Sequence, residues 1–379
     1  MRYNQIIFKL ICSLPVLLFG ACNGYSPHPN PVPENPGAEE CAMVADGQII
    51  LFLNSVTSNN TISSQYLSND HLFSFLANDQ QINVYDLTTN RFCYKIPVCK
   101  SSLNHPVAYN IVSPDSIYVL DYSGIIGLID RNGNLREKRS AVSRCKYYPI
   151  PITGISPLIL RDGRWIFAGN MAGEYSDENG ENRLTLCMVD SISGEVSAYI
   201  PYPDIYRDQN WGGGLFRWVY MTYNPTSDRV IMSFPADHFI YEVNLQDFST
   251  RSYYAGSKYI DKTESLNRYK RLPLGSEGKI RHFAETNSYA RILYDPYRNV
   301  YYRIAEQATR YDEMKGWKKP VSVIVMDSTF RIIGESLVED SFSPGYRYTL
   351  FVDRNGLQFQ QKSDEDHLIF QTYKFTSTK

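Results

Sequence analysis

One pattern recurs five times along this chain of 379 residues: an apolar β run, an Asp or Asn at its end, a polar turn, and a second β run. The copies are Ile82-Asn83-Val84-Tyr85-Asp86 before 87–91, Gly127-Leu128-Ile129-Asp130 before 131–134, 184–190 before 191–194, 239–244 before 245–247, and 321–327 before 328–329. The terminal residue has a physical purpose. A short Asp or Asn side chain bonds backbone N–H groups two residues on and so starts the turn. In the fourth copy Phe239, Tyr241, Val243 and Leu245 share one face while Glu242 and Asn244 point the other way, which is strand alternation. Self-similarity of this kind marks a repeat architecture.

Every copy after the first follows another β run, at 116–120, 164–168, 229–234 and 299–304. Shorter apolar runs lie earlier still in several units, at 155–160, 218–223 and 290–294. That makes four strands per unit. The tail holds only three, at 347–352, 357–361 and 368–375, and one run near the start, 48–53, is unassigned. A strand from the N-terminus that completes the last unit closes a ring. The chain is therefore expected to be all-β, a six-bladed β-propeller of four-stranded blades sealed by an N-terminal strand. Closure removes exposed sheet edges, so a chain this rich in β signal can stay soluble. The repeat is loose. Successive anchor residues Asp86, Asp130, Asp190, Asn244 and Asp327 stand 44, 60, 54 and 83 apart, with the excess in 171–182, 201–216 and 255–288. Seven blades, or two separate β domains, are the competing architectures. Thirty tyrosines among many Gly, Asn, Asp and Pro punctuators agree with a β-rich chain. No segment of helical period runs past about two turns with a convincing cap. The best candidate, 257–271, is mostly polar.

The first 21 residues read as a signal peptide. Arg2 and Lys9 are their only charges, an apolar stretch runs through Leu10 to Phe19, and Gly20-Ala21 precede Cys22. Even counted from Ile6, the apolar part is interrupted by Lys9 and Pro15 and falls short of the roughly 20 residues that a spanning helix needs. A small pair before a cysteine is similar to a bacterial lipobox, with Phe19 where leucine usually stands. On this reading Cys22 carries the lipid, and its acyl chains hold the protein to a membrane. Residues 22–40 follow as a tether containing Pro27, Pro29, Pro31, Pro33 and Pro36. Such a segment builds no core and extends roughly 55 Å at about 3.1 Å per residue. The propeller then occupies 41–379. The cell envelope, and within it the outer membrane, is the expected location. No acidic residue follows Cys22 before Glu34, so periplasmic and surface faces are both open.

Removing residues 1–21 leaves 36 basic and 40 acidic residues, a net charge of −4. Without a basic bias, nucleic acid is not an expected partner. Five cysteines remain besides Cys22: Cys41, Cys93, Cys99, Cys145 and Cys187. They cannot all pair with one another. Cys93 and Cys99 are placed in one extended run, too far apart to bridge along a strand that rises about 3.3 Å per residue. Buried thiols on strands are the expectation.

The run Ile292-Leu293-Tyr294-Asp295-Pro296-Tyr297-Arg298-Asn299-Val300-Tyr301-Tyr302-Arg303, with Asp115-Ser116-Ile117-Tyr118-Val119, resembles uncharacterised six-bladed propeller lipoproteins of Bacteroidetes, grouped as domain-of-unknown-function family 4221. The similarity spans 41–375. Its motifs belong to the blades, so the resemblance implies the fold and carries no known activity.

Motifs of local chemistry are sparse. The six histidines, His28, His71, His105, His238, His282 and His367, show no metal-ligand spacing. Gly154-Ile155-Ser156-Pro157-Leu158 lacks the second glycine of a nucleophile elbow. The sequence from Gly275 to Ile280 has the wrong spacing for a phosphate loop. Trp211-Gly212-Gly213-Gly214 precedes a strand and offers no helix N-terminus. Asp177-Glu178-Asn179-Gly180-Glu181 reads as a solvated hairpin tip rather than a calcium loop. No cofactor is implied.

Two stretches hold candidate ligand-binding residues. Segment 199–220 places Arg207, Asp208, Asn210 and Trp211 among tyrosines and glycines, where a crossing between blades three and four is expected. Aromatics beside Arg, Asp and Asn can stack on and hydrogen-bond a sugar or peptide. The plainer reading is that these aromatics pack between blades. His282, with Arg281 and Glu285, stands in the stretch entering blade five, where an ordinary polar loop is the plainer reading. The expected role is a non-catalytic binding or scaffold propeller at the envelope, held to the membrane by its N-terminal lipid, with a glycan or an envelope protein as partner. The alternative is a hydrolase or lyase with a metal or carboxylate site in the propeller channel.

Overall fold

Apolar runs of five to eight residues separated by Asx turns have one economical outcome: antiparallel meanders that bury both faces against neighbouring meanders. The structure, a computed structural model, shows this. It describes residues 40–53, 63–67, 69–76, 79–121, 123–140, 148–151, 156–172, 184–207, 209–212, 214–266, 276–309, 319–338, 349–361 and 364–377. Cys22, the signal segment, the tether, Asp208, Cys145 and the acidic tip around Asp177 lie outside the described residues.

Strand β1 (Cys41–Phe52) comes first. Blade one is β2 (Ser63–Leu67), β3 (His71–Leu76), β4 (Gln81–Asp86) and β5 (Arg91–Pro97). Blade two is β6 (Pro106–Ser113), β7 (Ser116–Asp121), β8 (Ile125–Ile129) and β9 (Leu135–Ser140). In blade three, β10 (Tyr148–Pro151) and β11 (Ile159–Arg161) share the inner position beside β12 (Arg164–Ala172), followed by β13 (Leu184–Asp190) and β14 (Val196–Pro201). Blade four is β15 (Tyr220–Asn224), β16 (Arg229–Ser233), β17 (Phe239–Asn244) and β18 (Thr250–Tyr254). Blade five is β19 (Ser288–Asp295), β20 (Val300–Glu306), β21 (Val321–Met326) and β22 (Ile332–Val338). Blade six is β23 (Phe351–Val352), β24 (Leu357–Gln360) and β25 (His367–Ser377), with β1 as its outer strand.

The N-terminal strand thus completes the last blade. Cys41 pairs with Ser377 and Phe52 with His367. The five sequence copies are the third strands of blades one to five, and the Asx turns form as their chemistry requires. Asp86 accepts Thr88 N–H at 2.7 Å, Asp130 that of Asn132 at 2.9 Å, and Asp190 that of Ile192 at 3.0 Å. Asn244 accepts Gln246 N–H at 3.0 Å and Asp327 that of Thr329 at 2.9 Å.

The core lies between blades. Phe73, Val84 and Ile96 of blade one meet Ile111, Ile117 and Val119 of blade two. Trp165, Phe167 and Cys187 of blade three meet Leu120 and Ile126 of blade two. Leu51 on β1 and Phe370 on β25 meet Leu72 and Tyr85 of blade one. A middle strand is covered on both faces, so β20 and β21 are buried throughout.

Five local features differ from the expectations. Among the described residues the α-helix α1 lies at Ser276–Glu285, and 257–266 is not helical. Hydrogen bonds to Glu335 from Ser257 Oγ and Lys258 N, and the bridge between Asn210 and Leu266, tie the described part of that stretch, 257–266, to neighbouring segments in a non-helical path. Helix α1 instead buries Phe283 and Ala284, which with the half-buried Ile280 at i−3 and i−4 form a short apolar stripe that Gly278 and the surrounding charges obscured. Strand β10 was not anticipated, because Pro149 and Pro151 argue against a strand. Its place at an inner sheet edge is where a residue without an N–H is tolerated. The run 93–99 bends after Pro97 into a 3-10 turn at Val98–Ser101. Among the thiols, Cys41 and Cys187 are buried on strands and Cys93 is exposed on one. The triple glycine leads into a short 3-10 turn at Gly214–Arg217 before β15. Among the described residues no helix is long and apolar enough to cross a membrane.

Candidate functional site

The first strand of each blade is its innermost, so six first strands surround a central channel. A cavity of about 550 Å³ there is lined from all six blades. Leu158, Leu160, Met221, Leu293, Phe351 and Val352 supply apolar wall. Polar side chains in this lining stitch each blade to the next. Gln65 on β2 accepts Ile111 N–H at 2.9 Å, and Asn110 on β6 donates to Leu158 O at 2.6 Å. Ser156 Oγ donates to Val219 O at 2.6 Å, and Thr222 Oγ1 on β15 accepts Tyr294 N–H at 3.1 Å. Arg291 on β19 donates from Nη2 to Leu350 O at 3.5 Å. Five of the six seams are therefore bridged at the channel by a side chain of one blade bonded to the backbone of the next.

Arg291 is the only charged side chain in the described lining. Burial pulls its pKa down to about 10, so it remains a cation at neutral pH. At the end of the channel where first strands turn into second strands stand Tyr223, Tyr294 and Tyr297 with Pro225 and Pro296. Tyr223 and Tyr294 donate their hydroxyls to Asp228 and Asn299 at 3.0 and 3.1 Å, which fixes their rings. Tyr297 is exposed. The described lining contains no Asp, Glu or His, and no three potential metal ligands converge among the described residues.

The residues nominated in 199–220 lie on the crossing between β14 and β15. Trp211 is buried, and its indole N–H donates to Ile205 O at 3.2 Å. Its ring packs on Tyr206 and Phe216, with centroids 5.7 and 5.6 Å away. Phe216 in turn meets His282 at 5.2 Å and Phe283 at 5.9 Å, so Trp211 and His282 share one aromatic cluster. His282 Nδ1 also bonds Thr286 Oγ1 at 3.2 Å. Asn210 accepts Gly212 N–H at 2.9 Å through its side chain, and Arg207 is exposed and paired with Asp204 at 2.6 Å.

A third polar centre carries no sequence motif. Arg303 on β20 is fully buried between blades four and five. It donates to Ser233 Oγ at 3.0 Å and to the carbonyls of Asp237, His238, Ala255 and Phe234 at 2.6, 2.9, 2.9 and 3.4 Å. Its guanidinium lies 3.7 Å from the ring centroid of Tyr289. Tyr289 OH contacts His238 Nδ1 at 2.7 Å, and burial with the nearby Arg303 charge lowers the His238 pKa to about 4. Glu335 on β22 is also buried. Ser257 and Ser322 donate to it at 2.5 Å each, yet burial raises its pKa.

The family model "Domain of unknown function (DUF4221)" matches residues 42–337. The chain belongs to the DUF4221 family. A crystal structure of a DUF4221 member from Bacteroides vulgatus is 22% identical over 90% of this chain and 99% of that one, with a TM-score of 0.73. A putative exported protein from Bacteroides fragilis is 12% identical over 90% and 95%, with a TM-score of 0.50. Both likenesses show the propeller fold. No curated protein matches in sequence. In this DUF4221 chain the channel residues were not singled out from sequence, because each comes from a different blade. A positional signal exists: Gln65, Asn110, Thr222 and Arg291 stand three to five residues before the turns at Asn69, Pro114, Pro225 and Pro296.

Proposed function

We propose that this DUF4221 propeller is a non-catalytic binding module of the cell envelope, held to the membrane by lipid on Cys22, whose central channel is the ligand seat. One observation carries the reading: the channel cavity is mostly apolar, lined from every blade, and its described lining offers no carboxylate or imidazole for acid–base or metal chemistry. A concave, mostly apolar cavity with a few fixed polar groups is the usual form of a small-molecule site. An exported location is supported by the signal segment. A glycan or an envelope protein remains the proposed macromolecular partner, with Arg207, Asp208 and Asn210, from the segment between β14 and β15, proposed as its contact, and with Trp211 and His282 in one aromatic cluster through Phe216.

The test is a thermal-shift screen of glycan fragments, peptides and small organic acids on the purified full chain. A ligand whose shift disappears in Leu293→Trp, which fills the channel, supports the channel seat. A ligand insensitive to Leu293→Trp but lost in Arg207→Ala moves the site to the crossing face. Chemical conversion of a bound ligand overturns the non-catalytic reading. The anchor has its own measurement: Cys22→Ser is expected to abolish acyl labelling, and persistent labelling refutes lipidation.

A further inference from the structure

The seams of a propeller widen outwards, so their apolar floor needs a cover at the rim. At two seams an aromatic of the outer strand reaches across. Tyr199 on β14 stacks on Phe248 of blade four with centroids 3.8 Å apart, and Tyr253 on β18 meets Phe330 of blade five at 4.5 Å. The seam between blades two and three is built differently. Tyr118, Leu128 and Glu137 are cross-strand partners on β7, β8 and β9, and Leu120, Ile126 and Arg139 form the next row. Such partners stand on one face of the sheet. Both rows face blade three, because the Tyr118 ring lies 4.1 Å from that of Trp165, and Leu120 and Ile126 share a core with Trp165. The outermost place in each row therefore falls to a charged residue. Arg139 Nε donates to Glu137 Oε1 at 2.7 Å, and the two side chains are 49% and 46% exposed. A cleft of about 410 Å³ lies inside them, walled by Tyr118, Leu128, Leu160 and the 86% exposed Ile192. An open apolar patch with a polar rim marks an interaction surface.

We propose that this cleft binds a neutral sugar unit of a glycan, with a ring face on Tyr118 and hydroxyls on the Glu137–Arg139 pair. The site is separate from the channel and from the β14–β15 crossing, and it depends on neither. The two walls select the ligand. A pyranose has a face of C–H groups and an edge of hydroxyls that both donate and accept. Tyr118, Leu128 and Leu160 suit the face. Glu137 offers acceptors and Arg139 donors, and their mutual bond fixes both on the strand. Charge in the described lining is balanced within the protein, since Arg139 partners Glu137 and Arg161 lies 3.2 Å from Asp162. An ion of either sign therefore gains little, whereas a hydroxyl bonded to a charged group makes one of the stronger bonds open to a neutral ligand. An apolar peptide would cover the floor but would desolvate the ion pair without giving it new partners, which is costly. The cleft volume falls within the range of small-ligand sites.

The experiment titrates the purified full chain by isothermal calorimetry with four neutral tetrasaccharides: maltotetraose, cellotetraose, laminaritetraose and xylotetraose. Tetragalacturonate is the acidic counterpart, the chitosan tetramer the basic one, and a proline–leucine octapeptide the protein-like probe. At least one neutral tetrasaccharide is expected to bind with a Kd below about 1 mM, and the charged tetramers at least about threefold more weakly. The double variant Glu137→Ala, Arg139→Ala changes only exposed side chains and is expected to weaken that binding at least about tenfold. Tyr118→Ala is expected to do the same, and the double variant decides the matter even if Tyr118→Ala does not fold. Leu293→Trp and Arg207→Ala are expected to leave the affinity within about twofold. Failure of every neutral tetrasaccharide to bind at about 1 mM, sugar binding that survives the double variant, or tighter binding of a charged tetramer overturns the proposal. Sugar binding lost instead in Leu293→Trp or Arg207→Ala also overturns it and locates the sugar in the channel or on the crossing. Octapeptide binding that falls in the double variant, with no sugar bound, overturns it and makes the cleft a protein-docking surface.

Discussion

Replacing Arg303 by methionine tests whether the seam between blades four and five is held by one buried cation. Arg303 reaches five acceptors, of which Ser233 Oγ and the carbonyls of Asp237, His238 and Ala255 lie at 2.6 to 3.0 Å. A bond to a charged donor contributes about 1.5–3 kcal/mol, and a buried polar group left without its partner costs about 1–3 kcal/mol. Summing five such terms overshoots. Carbonyls keep a second lone pair, methionine refills much of the volume, and removing a buried charge recovers its desolvation cost. The net loss is expected at about 3–5 kcal/mol, the range for breaking a buried charged network. Urea unfolding of the full chain, followed by tryptophan fluorescence and far-ultraviolet circular dichroism, reads this as a lower midpoint at unchanged slope. Arg303→Lys keeps the charge but loses the planar fork, so it should fall between methionine and wild type. A methionine variant within about 1 kcal/mol of wild type, or a lysine variant equal to it, refutes the reasoning.

Three further outcomes follow from the same geometry. His238 has a pKa of about 4 against an ordinary 6.5, so the folded state favours the neutral ring. Its contribution is complete above pH 6.5 and declines as pH falls towards 4, by up to roughly 3 kcal/mol, and His238→Gln should flatten that limb of the stability–pH curve. An unchanged acid limb in the variant counts against it. Asp86 is held at about 2 chiefly by its bonds to Thr88, so its turn should keep its stabilising effect above pH 3.8 and lose it as pH falls from there through 2. Asp86→Asn, which keeps the acceptor without titrating, should remove that dependence, and the same acid loss in the variant would show that the turn is not its source. Gly334 on β22 has no room for a side chain, since an added Cβ would lie 2.3 Å from Cys41 O and 2.5 Å from Cys41 Sγ. Gly334→Ala should therefore loosen β1 from blade five and raise hydrogen exchange across β1, whereas unchanged exchange would show that this contact does not hold the closing strand.

How much of this was legible in sequence depended on whether the signal was local. Asp86, Asp130, Asp190, Asn244 and Asp327 announced their turns because an Asx bond is made within three residues of its own chain. From those turns the third strands, the second strands and the spare N-terminal strand could be placed. Strand β10 was missed because its prolines are tolerated only at a sheet edge, and edge position is a property of the ring. Helix α1 was missed for a similar reason. Its apolar face is little more than Phe283 and Ala284, enough only because Phe216, 67 positions earlier, lies beside it. Arg303 stood in view within the run 292–303, yet nothing beside it in sequence shows that its acceptors lie in blade four.

The channel carries that lesson into function. Its polar groups are used twice over, since the side chains available to a ligand are the ones that join the blades. Gln65, Asn110, Ser156, Thr222 and Arg291 are bonded to neighbouring backbone, and what the described lining presents beyond them is apolar wall and tyrosine rings. A site built this way has little freedom to change its polar pattern without opening a seam. Under the proposed reading, Arg291 is the seam residue whose exchange removes a charge from the described wall. An exchange there should alter which ligand is held while leaving the ring closed. An exchange at Asn110, whose 2.6 Å bond to Leu158 O spans blades two and three, should lower stability first and binding only as a consequence. Paired unfolding and titration measurements on Arg291→Gln and Asn110→Ala separate these effects. Equal losses of stability in the two variants would mean that Arg291 is a seam residue like the others and that its charge selects nothing.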